Sequence, residues 1–522
     1  MTYKNLDTAV AFKSLQALAT PSLATLLSAE RITEAVADAG GGLSYRWAAM
    51  PVAEEHLATF QALSEEMQLI QKYRSLLGGE VMNTGEGRAV LHHLARGELA
   101  GEVIVDGENK GAFYQKELKK IRAFSEAVRS GEITSSTGES FTSVVQIGIG
   151  GSDLGPRALY LALEGWAAEA KIKRVDGHFI SNVDPDDAAA ILADLDLSRS
   201  LFIVVSKSGT TLETLTNLEL VIEAMQAQGL DPAKQIVAVT SKSSPMAQGD
   251  QFLEAFFIDD YIGGRYSATS AVGGVILSVA YGYESFAALL AGAHAADRQA
   301  LEPSVEKNAA LLDALIGLYL RNVLSMPTTA ILPYSQALSR FAAHLQQLDM
   351  ESNGKSVNRE GAPLGYVTGP IIFGEPGTNG QHSFYQLLHQ GTDIVPLQFI
   401  GFQSSQYQRD VIVEDSSSQE KLNANLAAQI VAFARGKEDA DANKRFTGER
   451  PSSLLIAERL TPEVLGALLA HYENKVMFQG FLWNINSFDQ EGVQLGKVLA
   501  TSVLEGSKDD PVLKAWASLF GL

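Results

Sequence analysis

The feature that most constrains this fold is a series of short, uninterrupted apolar runs separated by helix-length stretches, met twice along the chain. The first series opens at "TSVVQIGIGGSDLGPRALYLAL" and holds "VVQIGI", "GHFISNV", "LFIVVS", "QIVAVTS" and "AFFIDD". A strand with one wet face alternates apolar and polar residues, whereas a run apolar at every position needs cover on both faces. Alternation of such runs with helices predicts a parallel sheet flanked by helices. The second series begins near Pro327 with "TTAILPY", the helical "SQALSRFAAHLQQLDMES", "GPIIFGE" and "DIVPLQFIGF". Ahead of both, apolar residues three and four apart in "EEHLATFQALSEEMQLIQKYRSLL" predict helix. The expected class is α/β, with an N-terminal helical segment (1–115), a first α/β domain (116–285) and a second (286–522) ending in helices. A chain of 522 residues is long enough for several cores. No repeat of fixed period is visible.

Open parallel sheets bind ligands at the carboxyl ends of their strands, so the loops there carry the chemistry. "LFIVVS" runs into a loop with Ser206, Ser208, Thr210, Thr211 and Thr214, one lysine (Lys207) and one glycine (Gly209). The helical "LETLTNLELVIEAM" follows, so these hydroxyls gather at a helix N-terminus, where free N–H groups and the dipole favour an anion. Walker A spacing is absent. A plain N-cap needs one hydroxyl; five with a lysine point to a bound phosphate or carboxylate. "GIGGSDLGP" puts Gly151 and Ser152 after the first strand, either as a tight turn or as a second wall of backbone amides. Its dinucleotide-like spacing breaks at Asp153. "DYIGGRYSATS" places Arg265 behind two glycines that permit close approach, suiting an oxygen anion. "QQLDMESNGKS" sets Gln347 and Glu351 on one helical face, where a carboxylate can act as a base. In "GTNGQHSFYQLLHQG", His382 and His389 are seven apart, too far for one metal ion without other ligands. "SFDQEGVQLGK" likewise sets Gln490 and Lys497 two turns apart.

The net charge of −20, with no basic patch, argues against nucleic acid and anionic membranes as partners. An anionic substrate must then be caught by a few local cations and amides. The absence of cysteine excludes disulfides and thiolate chemistry. The uncharged stretch Tyr266–Tyr283 carries glycines and hydroxyls, which predicts a buried helix rather than a membrane span. The N-terminus shows no basic region followed by an apolar one, so a cytoplasmic protein is expected.

Together, in this order, the motifs "GIGGSDLGP", "SKSGTT", "GGRYS", "MESNGKS", "GTNGQHSFYQLLHQG" and "GFLWNINSFDQEGVQLGK" resemble the glucose-6-phosphate isomerase (phosphoglucose isomerase) family from about residue 83 to Lys497. The resemblance implies two sugar-isomerase (SIS) domains, a homodimer, and neither metal nor organic cofactor. It implies that Ser152, Ser206, Lys207, Ser208 and Thr211, with Thr214 nearby, hold a sugar phosphate. Glu351 would shuttle a proton between C2 and C1, and Arg265 would face the cis-enediol(ate). His382, reaching in from the other subunit, and Lys497 would open the sugar ring, while Gln347 lines the site. Gly209 departs from the bulkier residue frequent in eukaryotic members, and "NTGEGRAVL" carries an extra glycine. A phosphosugar-sensing protein without catalysis would keep the 206–214 loop but not Glu351, His382 and Lys497 together. Acceptance of mannose 6-phosphate is the nearest enzymatic alternative.

Overall fold

The computed structural model describes residues 2–506 and 510–522. All five apolar runs of the first series become strands, Ser143–Ile147, Asp176–Ile180, Ser200–Val205, Ile236–Thr240 and Glu254–Phe257. They form one wholly parallel sheet. The strand Ser200–Val205 is buried at every position, as its unbroken apolar text requires. Val204 stands between Ile147 on one neighbour and Ala238 on the other. Burying each large apolar side chain here contributes about 1.5–3 kcal/mol, so a register slip would be costly.

In order of strands along the chain, this sheet reads second, first, third, fourth, fifth. The winding therefore reverses between Ser143–Ile147 and Ser200–Val205. Open parallel sheets bind ligands at such a switch point, beyond the carboxyl ends of the strands. The loops it separates are 148–152 and 206–211.

The second sheet winds the same way. Thr328–Pro333, Ile371–Phe373, Leu397–Phe402 and Ser452–Ala457 are parallel and also run second, first, third, fourth. Residues 1–115 are not helical throughout: Val36–Gly40 and Leu43–Arg46 form a hairpin across a glycine turn. Its second strand pairs antiparallel with Ser452–Ala457, Tyr45 lying opposite Leu455, and completes a six-stranded sheet. "VADAG" and "LSYR" are too short and too poor in β-branched residues to announce strands; the second pairs with a sheet edge more than 400 residues away, and the first pairs with the second.

Helix Pro462–Leu482 is buried along nearly its whole length, against Tyr283–Gln299 and Ala309–Leu318. At its centre Arg96 donates to both carboxylate oxygens of Asp297 at 3.1 Å and to Glu473. The uncharged stretch after Tyr266 forms helix Ala271–Tyr281, every residue of which is buried. Among the described residues no helix is long and apolar enough to cross a membrane.

Candidate active site

The hydroxyl-rich loop leaves the central strand after Val205 and enters helix Leu212–Ala227 through Thr211. Thr211 sits at the N-cap position but its side chain caps nothing; its hydroxyl accepts from Ser206 Oγ at 3.1 Å. Among the described residues the N–H groups of the helix's first turn therefore find no side-chain acceptor, which leaves them for an anion. One turn on, Thr214 Oγ1 is buried without a partner among the described residues. Ser208 and Thr210 are exposed and bonded to each other at 3.0 Å, at the loop's outer rim. Thr240 Oγ1 donates to the Ser206 carbonyl at 2.7 Å and holds the loop's stem.

Gly209 has a structural reason. Its φ is +68°, a conformation that costs other L-residues about 1–2 kcal/mol. A Cβ there would also lie 2.0 Å from Ser244 Oγ. A bulkier residue would require a different loop.

Lys207 sits in this loop, but its ammonium points elsewhere. Nζ donates to the carbonyls of Asp260 (2.9 Å) and Ile262 (3.0 Å), and burial pushes the amine's pKa down. The side chain thus ties the 206–211 loop to the segment leading into Arg265. Across the crevice, Gly151 packs on that same segment: a Cβ at 151 would meet the Gly264 carbonyl carbon at 2.2 Å. Here glycine at 151 is required by close approach. Gln146 Nε2 donates to the Ser152 carbonyl at 2.7 Å, fixing the turn from below.

Arg265 is 1% exposed and nearly saturated. Nε donates to Ser352 Oγ (2.7 Å), one terminal nitrogen to the carbonyls of Ser487 (2.7 Å) and Asp489 (2.9 Å), and the other to Glu351 Oε1 (2.7 Å). Glu351's second oxygen accepts from Gln347 Nε2 at 3.1 Å, as their spacing on one helical face predicts. Gln347 also lines the crevice; a Cβ on Gly150 would be 3.3 Å from its Nε2. Tyr266, whose phenol burial pushes up to about 12, shares Ser352 Oγ at 3.0 Å and stacks on His92 at 4.9 Å. Sequence reasoning missed Ser352, Ser487 and Asp489. All three lie inside quoted motifs, but two act through backbone carbonyls, which no residue type betrays.

Among the described residues the remaining expected side chains make no hydrogen bond to this cluster. His382 ends a turn, Asn379–His382, with its side chain exposed. Gln490 is exposed at the start of the 491–493 turn, and Lys497 is exposed on helix Gln494–Leu504. No hydrogen bond or ion pair joins His382 or Lys497 to Glu351 or Arg265 among the described residues. His389 is a packing residue, stacked on Phe433 at 3.8 Å and bonded to Gln429 at 2.8 Å. Among the described residues no group of three or more His, Asp or Glu side chains could hold a metal ion.

A bonded carboxylate and guanidinium follow a segment that Lys207 ties to a hydroxyl-rich loop with an open helix N-terminus, in a chain whose two sheets have similarly wound parallel strands. That combination defines an α/β protein with two helix-flanked sheets and an anion site suited to proton transfer. The family model "Phosphoglucose isomerase" matches residues 47–518, and the chain belongs to that family. It is 58% identical to the glucose-6-phosphate isomerase of Treponema pallidum, over 100% of this chain and 99% of that one. It is 48% identical to that of Borreliella burgdorferi, over 99% and 98%. The crystal structure of a glucose-6-phosphate isomerase from Chlamydia trachomatis superimposes with a TM-score of 0.93 at 44% identity, covering 99% of both chains.

Proposed function

We propose that this protein interconverts D-glucose 6-phosphate and D-fructose 6-phosphate, by ring opening followed by proton transfer through a cis-enediol(ate). The observation that carries the reading is the Glu351–Arg265 pair at 2.7 Å, in a chain where Lys207 ties the loop before an uncapped helix start to the segment leading into Arg265. A proton α to a carbonyl is very weakly acidic, so its removal needs a positioned base and a fixed positive charge where the oxyanion develops. Glu351 supplies the base. Arg265, held by three acceptors besides Glu351, supplies the charge without having to reorganise. In the resting site the two neutralise each other, and the substrate's oxygens would compete for the guanidinium.

The phosphate sits at the start of helix Leu212–Ala227 among Ser206, Ser208, Gly209, Thr210, Thr211 and Thr214, with Gly151 and Ser152 opposite. Lys207 acts there through its backbone and by tethering the loop rather than as a direct phosphate ligand. Phosphate binding, remote from C1 and C2, supplies energy that orients them. Gln347 and Gln490 line the sugar. His382 and Lys497 open the ring, and no cofactor takes part.

The working unit is a homodimer in which His382 serves the partner's site. The exposed apolar side chains of the last two helices support a partner surface: Leu495, Val498, Leu504, Val512, Trp516, Leu519 and Phe520 are each more than 60% exposed. The domain division at 115 and 285 accompanies this reading, with the 36–46 hairpin lent to the second sheet. The reaction belongs to glycolysis and gluconeogenesis, which places the enzyme in the cytoplasm. Purified protein assayed with fructose 6-phosphate should form glucose 6-phosphate equally well with and without EDTA. Absence of conversion refutes the activity; loss on chelation, restored by a divalent ion, refutes the cofactor-free mechanism.

A further inference from the structure

We propose that Lys355 and Asp489, to which neither sequence nor family resemblance assigned a role, are a positioning pair that sets Arg265 and the entry of the Lys497 helix. Asp489 is a node. Its carbonyl accepts from Arg265 at 2.9 Å and from Lys355 Nζ at 3.0 Å. Its carboxylate accepts from Lys355 Nζ at 2.5 Å on one oxygen and from Asn486 Nδ2 at 2.7 Å on the other. Lys355 is itself fixed, because its carbonyl accepts from Thr368 Oγ1 at 2.7 Å just beyond the helix that ends with Glu351, Ser352 and Asn353.

Two consequences follow from this arrangement. Arg265 has one terminal nitrogen bonded to the carbonyls of Ser487 and Asp489, and the direction of those carbonyls decides where its other terminal nitrogen points. That other nitrogen is the one that meets Glu351. Lys355, on the same strip of chain as Glu351, grips both the carbonyl and the side chain of Asp489, so base and guanidinium are referenced to one anchor. The next residue is Gln490, and the chain proceeds directly into helix Gln494–Leu504 with Lys497. That helix packs chiefly on the 491–493 turn and on helix Pro511–Leu519 within the chain, so its start at Asp489 is the fixed end. The ion pair is 17% and 16% exposed, close enough to solvent for either side chain to be replaced without opening the core. An ion pair of that kind with no further role would leave turnover untouched.

This inference rests on the isomerase reading of Arg265, so Arg265→Lys is measured beside the latch variants Lys355→Met, Lys355→Arg and Asp489→Asn. Lys355→Met should lower kcat by ~10–10²-fold, the scale of a misplacement of about 1 Å near the reacting atoms. Inhibition by inorganic phosphate should be unchanged, because the 206–211 loop is not touched, and KM for fructose 6-phosphate should move less than kcat. Affinity for a sugar-phosphate hydroxamate, which mimics the enediolate, should fall by the same factor as kcat. Lys355→Arg, able to keep the charge and donate to both Asp489 oxygens, should recover most of the loss, and Asp489→Asn should fall between. Wild-type kcat in both Lys355→Met and Asp489→Asn, with Arg265→Lys crippled, overturns the latch alone. Equal losses of kcat and phosphate affinity, with no rescue by arginine, reduce it to a structural pair and also overturn it. Wild-type kcat in Arg265→Lys overturns the role of Arg265 and the latch with it.

Discussion

Glu351→Gln separates folding from chemistry at the centre of the site. Glu351 Oε1 accepts from Arg265 at 2.7 Å, and a glutamine carbonyl can accept the same bond. On the other side Gln347 donates to Oε2 at 3.1 Å, where the new amide would present a second donor. Among the described residues Gln347 Oε1 is buried without a partner, so a flip of that amide lets it accept from the new N–H₂. Removing one partner of a buried ion pair costs about 3–5 kcal/mol when the other charge is left alone. Arg265 is not left alone, since Ser352 and two carbonyls still hold it, and Glu351 is 20% exposed. The cost should therefore shrink to that of one charge-assisted bond made neutral, about 1 kcal/mol. At roughly 2–4 °C per kcal/mol for domains of 150–250 residues, the thermal midpoint should drop by no more than that. Turnover should behave differently. General-base contributions are ~10²–10⁴-fold, and the only base for a carbon acid belongs at the top of that range, about 5.5 kcal/mol of barrier. Asp349 offers no substitute, being buried and turned towards Asn353 at 3.5 Å. The assay is solvent exchange of the substrate's C2 proton, followed beside kcat and a melting curve. Both rates should fall together while the fold persists. Retention of more than about a tenth of wild-type exchange, against that expected loss, would show that Glu351 is not the base.

Gly209→Ala forces an L-residue into φ +68° with its Cβ against Ser244 Oγ, so the phosphate loop should shift. At about 1–2 kcal/mol, KM for the sugar phosphate should rise roughly tenfold with a near-normal melting curve; an unchanged KM would remove the loop from phosphate binding. His382→Ala and Glu351→Gln, each inactive alone, should complement when unfolded and refolded together. If His382 serves the partner's site, half the dimers are hybrids with one intact site, giving about a quarter of wild-type activity. No recovery would place the histidine in its own subunit's site.

The sequence alone indicated the first parallel sheet, because a run such as "LFIVVS", buried in its strand at every position, needs cover on both faces, while the flanking strands Asp176–Ile180 and Glu254–Phe257 are only partly buried. It determined the hydroxyl loop and the Gln347–Glu351 face for a similar reason: residue type and local spacing already carry their chemistry. It did not show the 36–46 hairpin, whose second strand pairs with a partner more than 400 residues away and carries the first along. Nor did it show where the Lys207 ammonium goes, because the carbonyls of Asp260 and Ile262 reach it only after two loops meet at the switch point. The environment of Arg265 was equally hidden. Its acceptors come from residues 351–352 and from the backbone of residues 487 and 489. A carbonyl is the same group in every residue, so only the tertiary structure could decide which ones would aim this guanidinium at Glu351.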